Sequence, residues 1–226
     1  MTVRINPVQL GFDRCYILQA ADGTIMIDGG MPKKTGNFRK ALKRLSMRPE
    51  DISLIILTHG HWDHIGSARG IKELTGAPVA LHGRDKDWLE KSLISLPPGV
   101  TPWGRLFVSI MGVFMPLVHI DTTNVDIVLD EGEFSLAAYG IPGRIIYTPG
   151  HSMGSVSVLL DTGEAFVGDL AMNEFPLCLS PGLPILAENM QQVKESWKML
   201  LDKGVKTIYP AHGKPFSADV IRRALF

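Results

Sequence analysis

A layered α/β fold is predicted by three features of the sequence: short apolar runs, amphipathic stretches at helical spacing, and Gly, Asp and Pro turns between them. Cys15 to Ala20 and Thr24 to Asp28 read as two strands of a hairpin, turned by Asp22-Gly23. After Gly29-Gly30, the i, i+4, i+7 stripe of Phe38, Leu42 and Leu45 predicts a helix. Ile52 to Leu57 is continuously apolar, the pattern of a strand buried on both faces. Ile65, Ala68, Ile71 and Leu74 mark a helix from about Ile65 to Leu74. A strand over Val79 to His82 and a helix over Asp85 to Leu93 follow.

Beyond Asp121 the strand pattern returns at Arg144 to Thr148, Ser155 to Leu160, Glu164 to Gly168 and Lys206 to Pro210. Between the last two lies a helix presenting Met190, Val193, Trp197, Leu200 and Leu201. Asn189 and Gln192 are spaced as its capping box, and Gly204 as its stop. Ser217 is placed to cap a last short helix ending at Phe226. From Leu93 to Ile120 the only charged residue is Arg105, but four prolines and three glycines break the segment. A membrane-spanning helix needs about 20 unbroken apolar residues, so this stretch reads as an apolar insertion in a single domain covering 1–226.

Composition narrows the function. Lys plus Arg (23) equals Asp plus Glu (23), which excludes a broad basic face, so no nucleic-acid partner is expected. Hydrophobic residues at 45% exclude intrinsic disorder. Two cysteines, Cys15 and Cys178, are too few for a disulfide scaffold or a thiolate zinc module. Asp13 and Arg14 arrive before any apolar run long enough for a signal core, which points to the cytoplasm.

The chemistry concentrates in Thr58-His59-Gly60-His61-Trp62-Asp63-His64, directly after a buried strand. Groups at the carboxyl ends of strands project into a crevice in α/β folds. His59 and His61, two apart in an extended segment, point to one side; Asp63 and His64, at a helix start, point elsewhere. The spacing suggests two half-sites rather than one tetrahedral cage. Imidazoles with carboxylates suit zinc or iron in a hydrolytic site. His151, Asp169 and His212 are each the first ligand-type residue beyond their own strands, so all three can reach the same crevice.

These motifs make the chain resemble the metallo-β-lactamase superfamily over nearly its whole length: Asp28-Gly29-Gly30, His59-x-His61-x-Asp63-His64, Gly150-His151-Ser152, Gly168-Asp169 and Ala211-His212-Gly213. The resemblance implies a four-layer αββα sandwich with two divalent metal ions at one edge. It assigns His59, His61 and His151 to one ion, Asp63, His64 and His212 to the second, and Asp169 to both. It makes Asp28 a brace for the motif loop. Zinc is the first expectation for the metals, with iron or manganese as alternatives.

A pair of such ions about 3.5–4 Å apart lowers the pKa of a bridging water from 15.7 towards 7 and takes up charge at the attacked centre. Asp63 is the ligand placed to orient that water and move its proton. Departures from the better-known members narrow the activity. Asp169 and the absence of a leader argue against a β-lactamase. Only 14 residues follow His212, too few for the helical extension of glyoxalase II. Residues 170–175 lack the tyrosine common in quorum-signal lactonases.

The expectation is a hydrolase of an ester, thioester or lactone-type bond in a small, partly apolar substrate. The alternatives are a mononuclear iron oxygenase of the persulfide dioxygenase type and a phosphodiesterase. The 93–120 insertion and residues 170–187 are expected to line the pocket, with Trp62, Met172, Phe175 and His119 as candidate contacts. A homodimer through the insertion, or simple extra core, are the other readings of that segment. His82 is expected to be a polar residue at a strand edge.

Overall fold

The computed structural model describes residues 2–94, 96–178 and 182–225. Two six-stranded sheets face each other. The first contains β1 (Arg4–Gln9), β2 (Arg14–Gln19), β3 (Thr24–Ile27), β4 (Leu54–Ile56), β5 (Val79–His82) and β6 (Ile127–Leu129), in that spatial order. β1 to β3 run antiparallel, whereas β3 to β6 are parallel. No apolar run announces β1, because Asn6 and Pro7 interrupt it; a proline is tolerated there because β1 is the sheet's edge.

The second sheet has the order β12 (Phe216–Ser217), β11 (Thr207–Pro210), β10 (Glu164–Gly168), β9 (Val156–Leu160), β8 (Gly143–Tyr147) and β7 (Phe134–Ser135). All its pairs are antiparallel except β10 with β11.

Strand alternation builds three hydrophobic layers from two sheets. Ile17, Met26 and Ile55 face outward onto α1 (Thr35–Leu45) and α3 (Ala68–Thr75), where Phe38, Leu42 and Ile71 meet them. The opposite faces of the same strands present Leu18, Ile25, Leu54 and Ile56 to Ile145, Val158 and Phe166, forming the layer between the sheets. The far face of the second sheet, with Ala165, Val167 and Ile208, is covered by Val193, Trp197 and Leu200 of α6 (Met190–Asp202) and Ile221 of α7 (Asp219–Ala224). The result is the αββα order.

The expected helix over Ile65–Leu74 is divided into α2 (Trp62–Ile65) and α3, and the helix expected over Asp85–Leu93 contracts to α4 (Lys86–Glu90). The capping box of α6 forms only by half: Asn189 accepts from the backbone N–H groups of Gln191 and Gln192, but Gln192 Oε1 makes no reciprocal bond. Ser217 Oγ accepts from Asp219 N, and α7 ends at Ala224; Phe226 lies outside the described residues.

The insertion is not a plain loop. Thr101 caps an eleven-residue helix, α5 (Pro102–Gly112), by accepting from Gly104 N, and Pro102 supplies the preset φ of a first turn. Nor is it extra core over most of its length, since Leu106, Ile110, Val113, Phe114 and Leu117 are exposed; among its described residues Ile94, Val118 and Ile120 join the helix layer of the first sheet and Val100 that of the second. No helix among the described residues is long and apolar enough to cross a membrane.

Candidate metal centre

Every ligand candidate lies at one edge of the paired sheets. β4 leads into His59, His61, Asp63 and His64; β8 leads to His151, β10 to Asp169 and β11 to His212. β8 and β10 are both antiparallel to β9, and β11 is parallel to β10, so the carboxyl ends of these three strands share one side of their sheet. Gly168 allows β10 to turn into the site. Its φ is +54°, and a Cβ there would lie 2.4 Å from Thr58 Oγ1.

The side chains gather in overlapping groups that could hold an ion, one of them His59, His64 and Asp169. His59, His61 and His151 form one group, and Asp63, His64 and His212, joined by Asp13, form another. His61 Nδ1 lies 2.9 Å from His151 Nε2, an approach of two nitrogens that requires a proton or a cation between them. Asp169 stands between the groups. Its Oδ2 lies 3.6 Å from His151 Nε2, and its Oδ1 lies 3.2 Å from His64 Nε2 and 3.4 Å from His212 Nε2.

Three imidazoles are oriented from behind. Asp28 accepts from Thr58 N (2.8 Å) and Thr58 Oγ1 (2.9 Å) through Oδ1 and from His64 Nδ1 (3.1 Å) through Oδ2. Thr58 Oγ1 is 3.1 Å from His59 Nδ1, and Leu186 O accepts from His151 Nδ1 at 3.0 Å. With Nδ1 engaged, the Nε2 lone pair of each ring points to the centre.

The donors fit metal ions on an observation of their own. His59 Nε2, His64 Nε2, His212 Nε2, Asp169 Oδ1 and both Asp13 oxygens are buried without a hydrogen-bond partner. A buried polar atom without a partner costs about 1–3 kcal/mol, and these belong to residues whose ligand atoms lie within 4.8 Å of one another in overlapping groups. Imidazole nitrogens and carboxylate oxygens are the donors that divalent zinc, iron and manganese take.

The electrostatics divide the histidines. Burial, with the neighbouring imidazoles of His64, His61 and His151, holds His59 well below the ordinary histidine range. Burial and His151 push His61 down to about 3, and burial also lowers His151. Burial acts in the same direction on His64 and His212 but is outweighed: Asp169 and Asp28 raise His64 well above its usual value, and Asp169 raises His212. Burial would raise Asp169 and Asp63, yet His212 and His64 hold both carboxyls below their usual range.

In the metal-free protein, the His64 and His212 contacts therefore stabilise fully below the unfolded histidine pKa of about 6.5 and are lost as pH rises through their raised folded values. His61 has the opposite sign: between about 6.5 and about 3 the unfolded chain takes up a proton that the folded site refuses, so stability falls as pH falls. Since a bound cation requires neutral rings, metal loading at pH 7 is expected to release protons from His64 and His212. Calorimetric titration in buffers of different ionisation enthalpy checks this; a heat independent of buffer would contradict it.

A cavity of about 370 Å³ opens over the centre. Its floor includes His61, Asp63, His151, Asp169 and His212, and its walls include Phe12, Trp62, Leu96, Phe107, Met111, Met172, Phe175 and Leu177. The insertion and the segment after Asp169 are fastened together around it. Trp103 Nε1 donates to Pro176 O at 2.9 Å, the Trp103 and Phe175 rings stack at 6.2 Å, and Val100 N donates to Ile185 O at 2.9 Å. Trp197 Nε1 donates to Leu170 O at 2.9 Å, anchoring that segment to α6. Ser95 and residues 179–181, within the two expected pocket segments, lie outside the described residues.

His119 is a correction. Its side chain is exposed beside Asp121, 3.6 Å away, and takes no part in the cavity, because its neighbours Val118 and Ile120 turn inward to the core and leave it facing out. His82 is another: it is buried, stacked on Tyr147 at 4.6 Å rather than exposed at an edge.

Two functional residues carry no clear sequence signal. Asp85 resembles an ordinary helix cap, yet its Oδ2 accepts from Gly60 N at 2.8 Å and Ser152 Oγ at 2.7 Å, bracing the His59–His64 and His151 loops against each other. Asp13 precedes a strand instead of following one. Burial, and then the charge of Asp63, push its carboxyl well above the usual range.

Known proteins resemble this chain in sequence and in fold. An uncharacterized Mycobacterium tuberculosis protein, Rv2581c, is 28% identical over 223 residues, covering 92% of this chain and 89% of its own. The Bacillus subtilis protein named "Probable metallo-hydrolase YflN" is 29% identical over 63% of this chain and 53% of its own length. An N-acyl homoserine lactonase of Bacillus cereus is 25% identical over 67% and 59%.

Among solved structures, the archaeal protein ST1585 from Sulfolobus tokodaii superposes with a TM-score of 0.70 at 24% identity, over 98% of this chain and 84% of its own. TTHA1623, solved in a di-iron-bound form, gives 0.69 at 23%, over 96% and 97%. These structural likenesses establish the fold. The family model for the metallo-beta-lactamase superfamily matches residues 9–212, a span that takes in every ligand candidate, and the chain belongs to that superfamily.

Proposed function

We propose that this protein is a metal-dependent hydrolase that cleaves an ester, thioester or lactone-type bond in a small, partly apolar substrate. The observation that carries the reading is Asp169, whose two carboxylate oxygens face one ligand group each at the floor of an apolar cavity. When bound there, a pair of divalent ions, zinc in the first instance, supplies a water of lowered pKa and positive charge for the attacked oxygen.

The chain's own residues do the rest. His59, His61 and His151 present neutral rings, while Asp28 and Thr58 fix their neighbours' orientation. Asp63 is half-buried, lines the cavity and has Oδ2 3.7 Å from His212 Nε2. It is placed to orient the attacking water and accept its proton. The names of YflN and the Bacillus cereus lactonase support hydrolysis, and the di-iron form of TTHA1623 supports a two-ion centre that also accepts iron.

The apolar walls hold the acyl part. Each methylene buried there contributes about 0.8 kcal/mol, or roughly fourfold in kcat/KM. The test is metal analysis joined to a panel of thioesters, lactones, β-lactams and phosphodiesters of graded chain length. Two ions per chain and turnover rising with acyl length are expected. Phe107→Ser with Met111→Ser should flatten that rise while sparing acetyl esters. A phosphodiesterase, a single iron with oxygen consumption, or kinetics indifferent to chain length would overturn the reading.

A further inference from the structure

We propose that Asp13 is a metal ligand, making the second ion site a set of three carboxylates and two imidazoles that selects a hard cation such as Mn²⁺. The proposal rests on the two-ion reading above and adds a residue outside the seven-ligand pattern that the sequence resemblance implies.

The fold brings Asp13 to the centre. β2 runs antiparallel to β3, so the residue just before β2 lies at the edge where β3 and β4 end. The neighbouring backbone is locked, with Arg14 N donating to Ala211 O at 2.9 Å and Leu10 N to Asp13 O at 3.1 Å. Asp13 is thereby held beside His212. It is wholly buried, and neither carboxylate oxygen has a hydrogen-bond partner.

Its Oδ1 lies 3.4 Å from His212 Nε2, the same separation as His212 Nε2 from Asp169 Oδ1. Two neighbouring donors about 2.1 Å from one five-coordinate ion stand about 3.0–3.6 Å apart, a range that includes both separations. Among the described residues no Lys or Arg forms an ion pair with Asp13, Asp63 or Asp169. The three carboxylates gather around His64 and His212 alone, and once those two rings are neutral a divalent ion is the partner their geometry leaves room for.

The two halves of the centre then differ in kind. His59, His61 and His151 offer three imidazoles, which suit zinc, while the second half is richer in carboxylate oxygen, which suits manganese. The structure assigns a mixed-metal preference to this chain, with Asp13 as its determinant.

The experiment titrates the full-length, metal-free protein with Zn²⁺, with Mn²⁺ and with their mixture. It reads stoichiometry by native mass spectrometry and bound Mn²⁺ by electron paramagnetic resonance. The wild type is expected to take one of each ion from the mixture. Asp13→Asn and Asp13→Ala should keep the zinc and lose Mn²⁺ affinity by about 10–100-fold, the effect expected for a residue that shapes a metal site.

Metal-free Asp13→Asn should unfold at the wild-type temperature or higher, because it removes a charge buried in one group with Asp63 and held by no hydrogen bond. A carboxylate with a purely structural role would give a lower one. Wild-type Mn²⁺ affinity in Asp13→Asn, or a clearly lower metal-free unfolding temperature, overturns the assignment while leaving the two-ion reading intact. A wild type that takes up no second ion of either kind overturns both.

Discussion

Replacing His59 and His61 together by alanine is expected to remove one ion and lower kcat/KM by at least about 10²–10³-fold, the loss seen when a single group stabilising transition-state charge is removed. Two of the three donors of the imidazole group go, and His151 alone cannot hold a divalent ion against water. Asp169 Oδ2 then faces an uncompensated His151 ring at 3.6 Å. Asp63→Ala should reach a similar loss in rate, since it removes a donor and the proposed proton acceptor at once. Lys198→Ala, on the exposed face of α6, should leave rate and metal content unchanged. Wild-type turnover in the histidine double variant would place the chemistry elsewhere.

Asp28→Ala is expected to act without touching an ion. Its carboxylate accepts three hydrogen bonds, from the backbone and hydroxyl of Thr58 and from His64 Nδ1, and all these groups are buried. Removing it leaves buried donors unpaired, a cost of about 1–3 kcal/mol. It also frees the His64 ring to turn, which should weaken metal binding by about 10–100-fold. Denaturant unfolding of the metal-free protein measures the first effect, and a competitive metal titration measures the second. Unchanged metal affinity together with lowered stability would make Asp28 a packing residue only.

Both results depend on a centre whose inventory is largely local. His59, His61, Asp63 and His64 sit within six positions after one apolar run, and His151, Asp169 and His212 each follow another. Strand-end placement is a one-dimensional property: the chain leaves the sheet, and the next polar residue meets the crevice. The αββα layering has the same origin, since alternation along β2, β3 and β4 sends Ile17, Met26 and Ile55 to the helices and Leu18, Ile25 and Leu54 to the facing sheet.

The residues that sequence reasoning missed or misplaced are those whose neighbours are set by strand order. Asp85 meets Gly60 and Ser152 only because α4 lies across the two loops. His119 shares a segment with Phe107 and Met111, but α5 carries those two over the cavity and leaves His119 on the surface. Asp13 precedes a strand, and nothing in its sequence neighbourhood distinguishes it from a surface turn. The antiparallel return of β2 beside β3 places it against His212, 199 positions away in the chain. Local pattern thus determined which side chains could hold metal and the layers that carry them. Packing of the sheets decided which further carboxylates join them, because long-range contact depends on pairing and direction rather than on spacing.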